Sequence, residues 1–298
     1  MNFKNLGELA ALMTAFCWTI SGLSFESAGK RVGSLAVNYI RLILAFIFVS
    51  LYSLIIRGLL LPVDATYHNW IWLSLSGFIG FFLGDLFLFK AYVEVGSRIS
   101  LLVMASSPPL TALIEFILLG QRLEMVSLLG MFITIFGIAI VILGKEDGTK
   151  KLKINHSKKG LVYAFLGSLG QALGLIVSRV GIGDYNPIAA TQIRIISGFI
   201  GFTILIFVLK KFEDIKLAIK NKDAIKMITL GALFGPFIGV TLSLASLKYT
   251  SAGISSTITS ITPVTIIPFS VFLFKEKVKL KEILGAVISV AGVAILFL

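Results

Sequence analysis

The sequence predicts an all-α integral membrane protein with ten transmembrane helices, arranged as two inverted five-helix repeats. Three observations lead to this prediction: the overall hydrophobicity, the number of apolar runs and an internal repeat. Of the 298 residues, 57% are hydrophobic and only 14% are charged, and the mean hydropathy is +0.97. Soluble globular chains are typically about 45–50% apolar. We therefore expect a multi-pass protein of the cell (plasma) membrane.

Ten apolar runs are long enough to cross a bilayer as helices, which requires about 20 residues each. They cover residues 6–26, 35–57, 69–91, 99–119, 125–144, 160–180, 188–209, 224–247, 253–274 and 280–298. A hydrophilic stretch near the middle of the chain separates the fifth run from the sixth. The chain therefore divides into a first repeat over residues 1–144, a linker over 145–159 and a second repeat over 160–298.

The two halves also resemble each other residue by residue. Residues 7–47 align without gaps onto 160–200 at a shift of 153, and residues 73–143 align onto 228–298 at a shift of 155. The coincident residues include Arg41 with Arg194, Gly80 with Gly235, Gly84 with Gly239, and Pro108 with Pro263. Because each half has an odd number of helices, the second half is inverted relative to the first. Inverted repeats place a binding site near the membrane midplane and allow alternating access.

The distribution of basic residues predicts the orientation in the membrane. Of the 27 Lys and Arg residues, three lie within predicted helices: Arg41, Lys90 and Arg194. Five more share the face of the N-terminus, namely Lys4, Arg57, Arg122, Arg179 and Lys248, which leaves 19 on the other face. By the positive-inside rule, the strongly basic face is cytoplasmic and both termini lie outside.

Motifs at Trp18, at Arg41 and Arg194, and over residues 245–298 resemble those of the drug/metabolite transporter superfamily, in its EamA-type branch with two EamA domains. Trp18 and Gly22 resemble the first-helix signature of that branch, and Arg41 and Arg194 match an arginine of helices two and seven. The clearest match is residues 245–298, through Tyr249, Ala252, Pro263, Glu276, Gly285, Ala286, Gly292 and Val293. Gln121 departs from the family glutamate that Glu276 keeps in the other half. The resemblance implies ATP-independent secondary transport, often export of amino acids or other metabolites.

The sequence carries no sign of enzymatic activity. It lacks a G-x-x-x-x-G-K-[ST] loop, its two histidines (His68 and His156) fall in predicted loops, and Cys17 is its single cysteine. We therefore expect no catalytic residue, no metal site and no cofactor. The net charge of +12 lies mainly in short loops, where it meets lipid headgroups. We expect membrane lipid and a small-molecule substrate as partners, and no nucleic acid.

Charges inside the predicted helices are candidate functional groups, because each one needs a partner or a water-filled cavity. Arg41 and Asp85 lie at equal depth, which predicts a pair, and Glu115 and Arg194 form a second candidate pair. One interpretation makes these groups gates or substrate anchors, with Arg41 or Arg194 meeting a carboxylate and Asp85 exchanging a proton. The other interpretation makes them structural ties between helices, or arginines that reach the headgroups.

Other candidates come from polar or aromatic residues at equivalent places in the two halves. They are Trp18 with Gln171, Asn38 with Thr191, Tyr39 with Gln192, and Ser107 with Thr262. Such groups prefer the inside of a helix bundle, where they either line a pocket or only pack. Pro108 and Pro263 are candidate hinges or packing kinks. Gly80, Gly84, Gly235 and Gly239 allow close helix approach, either within the protomer or in a dimer.

Together these features predict a secondary transporter that moves a small amphiphilic metabolite, such as an amino acid or a drug-like solute. We expect an exporter that works by alternating access between the inverted repeats, with proton coupling left open. We expect a monomer, with a dimer as the alternative. The competing hypothesis is a membrane sensor or lipid-binding scaffold that has the same fold and transports nothing.

Overall fold

The computed structural model describes residues 6–119, 124–145, 152–154, 156–249, 258–275 and 277–296. These residues are helical almost throughout, apart from a short antiparallel hairpin of β1 (Leu143–Lys145) and β2 (Leu152–Ile154). The helices are α1 (Leu6–Val32), α2 (Ser34–Arg57), α3 (Tyr67–Gly77), α4 (Asp85–Met104), α5 (Ser107–Leu119), α6 (Met125–Ile142), α7 (Lys158–Ile182), α8 (Pro187–Leu209), α9 (Phe212–Lys220), α10 (Lys222–Ala232), α11 (Val240–Tyr249), α12 (Thr262–Phe274) and α13 (Leu280–Leu296). These elements confirm the prediction of an all-α membrane protein.

Seven helical stretches within the described residues are long and apolar enough to cross a membrane, and α12 is a shorter apolar helix. One of the seven is a 38-residue stretch from Tyr67 to Met104, which is nearly twice the length that one span requires. Its helical geometry is broken at Gly96, where φ is 81° and ψ is 161°. This backbone conformation is almost restricted to glycine. Helix continues to Val95 on one side of the break, past the predicted end at residue 91, and resumes at Ser97 on the other.

Two π-helical segments of seven residues each join α3 to α4 and α10 to α11. They cover Phe78–Gly84 and Leu233–Gly239, and the 155-residue shift of the sequence repeat superimposes one on the other. A π segment breaks the regular i to i−4 hydrogen-bond ladder and is a known cause of helix bending. The sequence analysis missed both segments, because an apolar run has the same composition in α and π geometry.

The regular α-helical hydrogen bonding is also interrupted directly before Pro108 and Pro263. α5 begins at Ser107 after a turn at Ala105 and Ser106, and α12 begins at Thr262 after a turn at residues 260–261. Each proline therefore lies in the first turn of a new helix, where its missing N–H removes no helical hydrogen bond. The predicted span over residues 99–119 therefore consists of two helical pieces joined by a turn at residues 105–106.

The helices pack in pairs that cross between the two halves of the chain. α1 packs along α10, α11 and the π segment between them, and α7 packs along α3, α4 and their π segment. α2 packs on α8, and α6 packs on α13. The largest buried apolar cluster includes Phe25, Val37, Leu88 and Ile228 and joins α1, α2, α4 and α10.

A further helix, α9, lies in the hydrophilic stretch between α8 and α10 that the sequence analysis left without structure. It is amphipathic: Ile215 and Ala218 are buried, while its charged residues form the exposed ion pairs Lys211–Asp214 and Lys216–Glu213. A search for apolar runs of about 20 residues cannot find a helix of nine residues. Gln121, Arg122 and Glu276, which entered the sequence argument, lie outside the described residues.

Candidate functional site

A buried ion pair joins α2 to α4. Arg41 Nη2 donates to Asp85 Oδ2, and the two side chains are 5% and 7% exposed. Arg41 Nε also donates to Asn38 Oδ1 at 3.1 Å, and Asn38 Nδ2 donates to the Asp85 carbonyl oxygen at 3.2 Å. The guanidinium of Arg41 lies 4.5 Å from the ring centroid of Phe89. The pairing that equal depth predicted is therefore confirmed, and the Arg41 charge is balanced within the chain.

Gln171 of α7 brings the second half of the chain to the same carboxylate. Its Nε2 donates to Asp85 Oδ1 at 2.9 Å and to the Gly80 carbonyl oxygen at 3.3 Å. α7 approaches closely here, because a Cβ on Gly170 would lie 2.6 Å from the Gly84 Cα. A Cβ on Gly174 would lie 3.0 Å from the Gly80 Cα. Gly80 and Gly84 therefore contact a helix of the same chain, as the packing interpretation predicted.

Asn38, Arg41, Asp85 and Gln171 form what we call the Asp85 cluster. Arg194 of α8 lies beside this cluster and has no counter-ion among the described residues. Its guanidinium carbon is 4.6 Å from the ring centroid of Phe81. Its Nη2 would lie 3.4 Å from a Cβ on Gly80. Its Nε is buried without a hydrogen-bond partner in the described part of the chain, and the residue as a whole remains partly accessible. The two arginines at equivalent sequence positions thus differ in environment.

The predicted pair of Glu115 with Arg194 is wrong. Glu115 of α5 instead pairs with Arg179 of α7. Equal depth in the membrane fixes the height of a residue but not the direction in which it faces. α5 packs against α7, whereas the backbone of Arg194 contacts Gly77 in α3.

Trp18 of α1 occupies a place that corresponds to that of Gln171. It is 38% exposed, and its Nε1 would lie 3.1 Å from a Cβ on Gly239. Gln171 has the same relation to Gly84, since its Nε2 would lie 3.4 Å from a Cβ there. Gly235 packs on Ser21 of α1, so Gly235 and Gly239 also contact a helix of the same chain.

The other predicted site residues make contacts away from the Asp85 cluster. Tyr39 stacks on Phe199 with ring centroids 5.1 Å apart. Gln192 Nε2 donates to Ser50 Oγ at 3.0 Å and to the Leu60 carbonyl oxygen at 2.8 Å. The hydroxyls of Thr191 and Thr262 donate within their own segments, to the carbonyl oxygens of Pro187 at 2.9 Å and of Thr259 at 2.7 Å. Ser107 begins α5 and is partly buried. Of the residues predicted to line a site, the structure gathers Asn38, Arg41, Asp85, Gln171 and Arg194.

Glu26 is a buried charge that the sequence analysis overlooked. Its carboxylate accepts from the Ser97 backbone N–H at 2.6 Å and from Ser97 Oγ at 2.5 Å, directly after the break at Gly96. Lys30 Nζ donates to it at 2.5 Å. Glu26 thus caps a helix start, where negative charge is favourable. A signal was available, since Glu26 is an acid at the end of an apolar run, four residues before a lysine.

Two hydroxyl pairs tie the interrupted helices to their neighbours. Ser106 Oγ lies 2.9 Å from Ser168 Oγ in α7, and Thr19 Oγ1 of α1 lies 2.8 Å from Thr265 Oγ1 in α12. Beside the first pair is an apolar crevice of about 290 Å³ between α4, α5, α6 and α7, which includes Ser106, Met131 and Phe165 in its lining. The first contact holds the turn before Pro108, and the second holds the first turn of α12.

The loops after α2 and after α7 are joined by a polar network. Arg57 donates to Asp64 Oδ2 at 2.6 Å, and the Tyr185 hydroxyl donates to Asp64 Oδ1 at 2.9 Å. The hydrogen bond from Arg57 holds the pKa of Asp64 below its ordinary value. Burial, together with the bond to Asp64, raises the pKa of Tyr185 to about 12. The network therefore connects the loop after α2 to the loop after α7.

Comparison with known proteins gives matches over most of the chain. The profile of the EamA-like transporter family matches residues 5–143 and again residues 158–298. An uncharacterized transporter of Archaeoglobus fulgidus is 21% identical over 295 residues, which cover 97% of each chain. The uncharacterized transporter YetK of Bacillus subtilis is 22% identical, over 74% of this chain and 66% of its own. A crystal structure with 15% identity superimposes with a TM-score of 0.65, over 97% of this chain and 95% of that chain, which shows a shared fold.

Proposed function

The chain belongs to the EamA-like transporter family, and we propose that this multi-pass membrane transporter is a secondary carrier that exports a small amphiphilic metabolite. In this proposal, ten membrane-spanning helices form two inverted five-helix repeats, residues 1–144 and 160–298, joined by the linker 145–159. The two repeats rock about a site between them, so that the site opens to one side of the membrane at a time. Amino acids and drug-like solutes are the substrate classes proposed.

The observation that supports the inverted arrangement is that contacts between the halves occur in equivalent pairs. Ser76 Oγ of α3 donates to the Gly174 carbonyl oxygen of α7 at 2.6 Å. Under the sequence shifts these positions become Gly231 and Ser21, and Ser21 Oγ donates to the Gly231 carbonyl oxygen at 3.2 Å. The equivalent positions therefore meet twice. An approximate twofold axis between the halves accounts for both contacts.

The Asp85 cluster supports a binding role near this axis. Asp85 belongs to the first half and receives a hydrogen bond from Gln171 of the second half, so a relative movement of the halves changes its environment. A carboxylate in such a place can exchange a proton during the transport cycle. Proton-coupled export is the mechanism that we propose on this basis.

Orientation in the membrane follows from the positive-inside rule. The strongly basic face, which includes Lys30, Lys210 and Lys281, is cytoplasmic in this proposal, and the loops that contain Asp64 and Tyr185 face outward. Substrate then enters from the cytoplasmic side during export.

Purified protein in liposomes tests the transport function directly. We expect saturable flux of one or more solutes from a panel of amino acids, polyamines, quaternary ammonium compounds and nucleosides, with a rate that depends on an imposed proton gradient. The Asp85→Asn variant is expected to lose that dependence. Saturable binding without flux would instead favour a sensor or scaffold, and an unchanged gradient dependence in Asp85→Asn would reject the proton role.

A further inference from the structure

Two arginines, Arg41 in the Asp85 cluster and Arg194 beside it, share one acid. Arg41 and Arg194 are both cationic, and Asp85 is the carboxylate between them. Asp85 Oδ2 accepts from Arg41 and Oδ1 accepts from Gln171, so both of its oxygens are already in use. The cluster and Arg194 together therefore carry an excess positive charge inside the membrane, where a charge without a counter-ion is strongly unfavourable.

The internal repeat explains why Arg194 lacks the acid that Arg41 has. The 155-residue shift that places Gly84 on Gly239 also places Asp85 on the next residue, which is Val240. The first half thus supplies a carboxylate for its arginine, and the second half supplies an isopropyl group at the equivalent position. Within the described residues, the Arg194 guanidinium makes no hydrogen bond or ion pair and contacts only the Phe81 ring as a cation–π partner.

Because position 80 is a glycine, no side chain of that residue covers the Nη2 side of this guanidinium. The point that a Gly80 Cβ would occupy is 3.4 Å from Arg194 Nη2 and 3.9 Å from Gln171 Oε1. It is also 3.8 Å from the Gly174 Cα, so an added atom there makes ordinary van der Waals contacts and no clash. A small planar acid group fits the two donor directions of a guanidinium.

We propose that Arg194 is the recognition site for a carboxylate, or an equivalent anionic group, of the transported solute. This inference rests on the proposed transport function for its biological role, but the binding itself does not require movement. The structure selects Arg194 between the two arginines that the sequence left as alternatives, since Arg41 is already neutralised by Asp85. The substrate class is then an amphiphilic organic acid, which includes amino acids.

A test independent of any ligand places an acid in the proposed site. Gly80→Asp supplies a carboxylate beside Arg194, and Gly80→Asn supplies the same shape without charge. We expect Gly80→Asp to melt at a higher temperature than Gly80→Asn. The order is expected to reverse when Arg194→Gln is added, because the buried acid then has no counter-ion. Equal melting temperatures of the two variants, or the same order in both backgrounds, would overturn the proposal.

A binding test compares carboxylates with their uncharged amides, for example L-leucine with L-leucinamide and L-phenylalanine with L-phenylalaninamide. Affinity for the purified protein is measured by isothermal calorimetry. We expect each bound acid to lose affinity on the order of 10- to 100-fold in Arg194→Gln, as expected for removal of a charge-assisted hydrogen bond. Arg194→Lys is expected to retain part of the affinity for the acid. Arg31→Gln, which removes an exposed arginine paired with Asp223, serves as the control with unchanged affinity.

The outcomes separate the anion site from the transport function. Binding of acids that depends on Arg194 but gives no flux in liposomes would contradict carrier activity and support the site. Flux of amides at the rate of the acids, with no effect of Arg194→Gln, would support the carrier and reject the site.

Discussion

The ion pair between Arg41 and Asp85 is the most deeply buried of the ion pairs in the described residues. A buried pair gains little net stability over apolar groups of similar size, but removing one partner leaves the other charge exposed to a low dielectric. We therefore regard this pair as a tie between α2 and α4 that also orients the Asp85 carboxylate toward Gln171.

This view predicts a strong coupling between the two residues. Asp85→Leu is expected to lower the free energy of unfolding by about 3–5 kcal/mol, since Arg41 is left without its counter-ion. Adding Arg41→Met is expected to restore most of that loss. Denaturant titration of the purified variants measures the cycle. Glu213→Gln is the control, because its exposed ion pair with Lys216 contributes at most about 1 kcal/mol to stability. Additive effects of Asp85→Leu and Arg41→Met would argue against a structural tie between α2 and α4.

The network of Arg57, Asp64 and Tyr185 predicts a pH dependence of stability at both the acid and the alkaline end of the scale. The pKa of Asp64 is lowered in the folded protein, so its contribution to stability is present above the unfolded pKa near 4 and is lost as the pH falls through the lowered pKa. The pKa of Tyr185 is raised to about 12. The contribution of Tyr185 to stability is present below its unfolded pKa near 10 and is lost as the pH rises toward 12.

Melting temperatures of the wild type and Tyr185→Phe across the pH range test this dependence. We expect the wild type to lose stability relative to Tyr185→Phe between about pH 10 and 12. Parallel curves over that interval would show that burial and the bond to Asp64 do not raise the pKa of Tyr185 in the folded protein.

Individual elements differ in how well sequence reasoning could find them. Long apolar runs predicted the main helices, because a membrane span has a fixed minimum length. The break at Gly96 and the turns before Pro108 and Pro263 depend on backbone geometry that neighbouring helices select, and composition does not reveal it. The same holds for the two π segments, although their equivalent positions show that the sequence repeat encodes them.

The break at Gly96 gives a prediction at the level of elements. Gly96→Ala is expected to lower the free energy of unfolding by about 1–3 kcal/mol, because φ is 81° there and non-glycine residues are strained in that region. Its Cβ would also lie 3.3 Å from Glu26 Oε1. Gly80→Ala is the matched control, since its Cβ has only ordinary contacts. A wild-type melting temperature for Gly96→Ala would show that the break relaxes without strain.

On the scale of the whole molecule, the internal repeat was the most informative feature of the sequence. It predicted which residues are equivalent, and the paired contacts of Ser76 with Gly174 and of Ser21 with Gly231 follow that equivalence. It could not predict where the halves differ. Arg194 and Arg41 align in sequence, yet they have different partners because the second half has Val240 at the position equivalent to Asp85.

The central claim is that the two halves are inverted, and labelling of equivalent loops tests it most directly. Val63 and Lys216 lie in the connections between the second and third predicted helices of each half, Val63 in a turn and Lys216 in α9, and both are exposed. Single cysteines at these positions, in a Cys17→Ser background that removes the native thiol, are treated with a membrane-impermeant maleimide on intact cells. The account predicts labelling of Val63→Cys from outside and of Lys216→Cys only after the membrane is permeabilised. Labelling of both positions from the same side would contradict it.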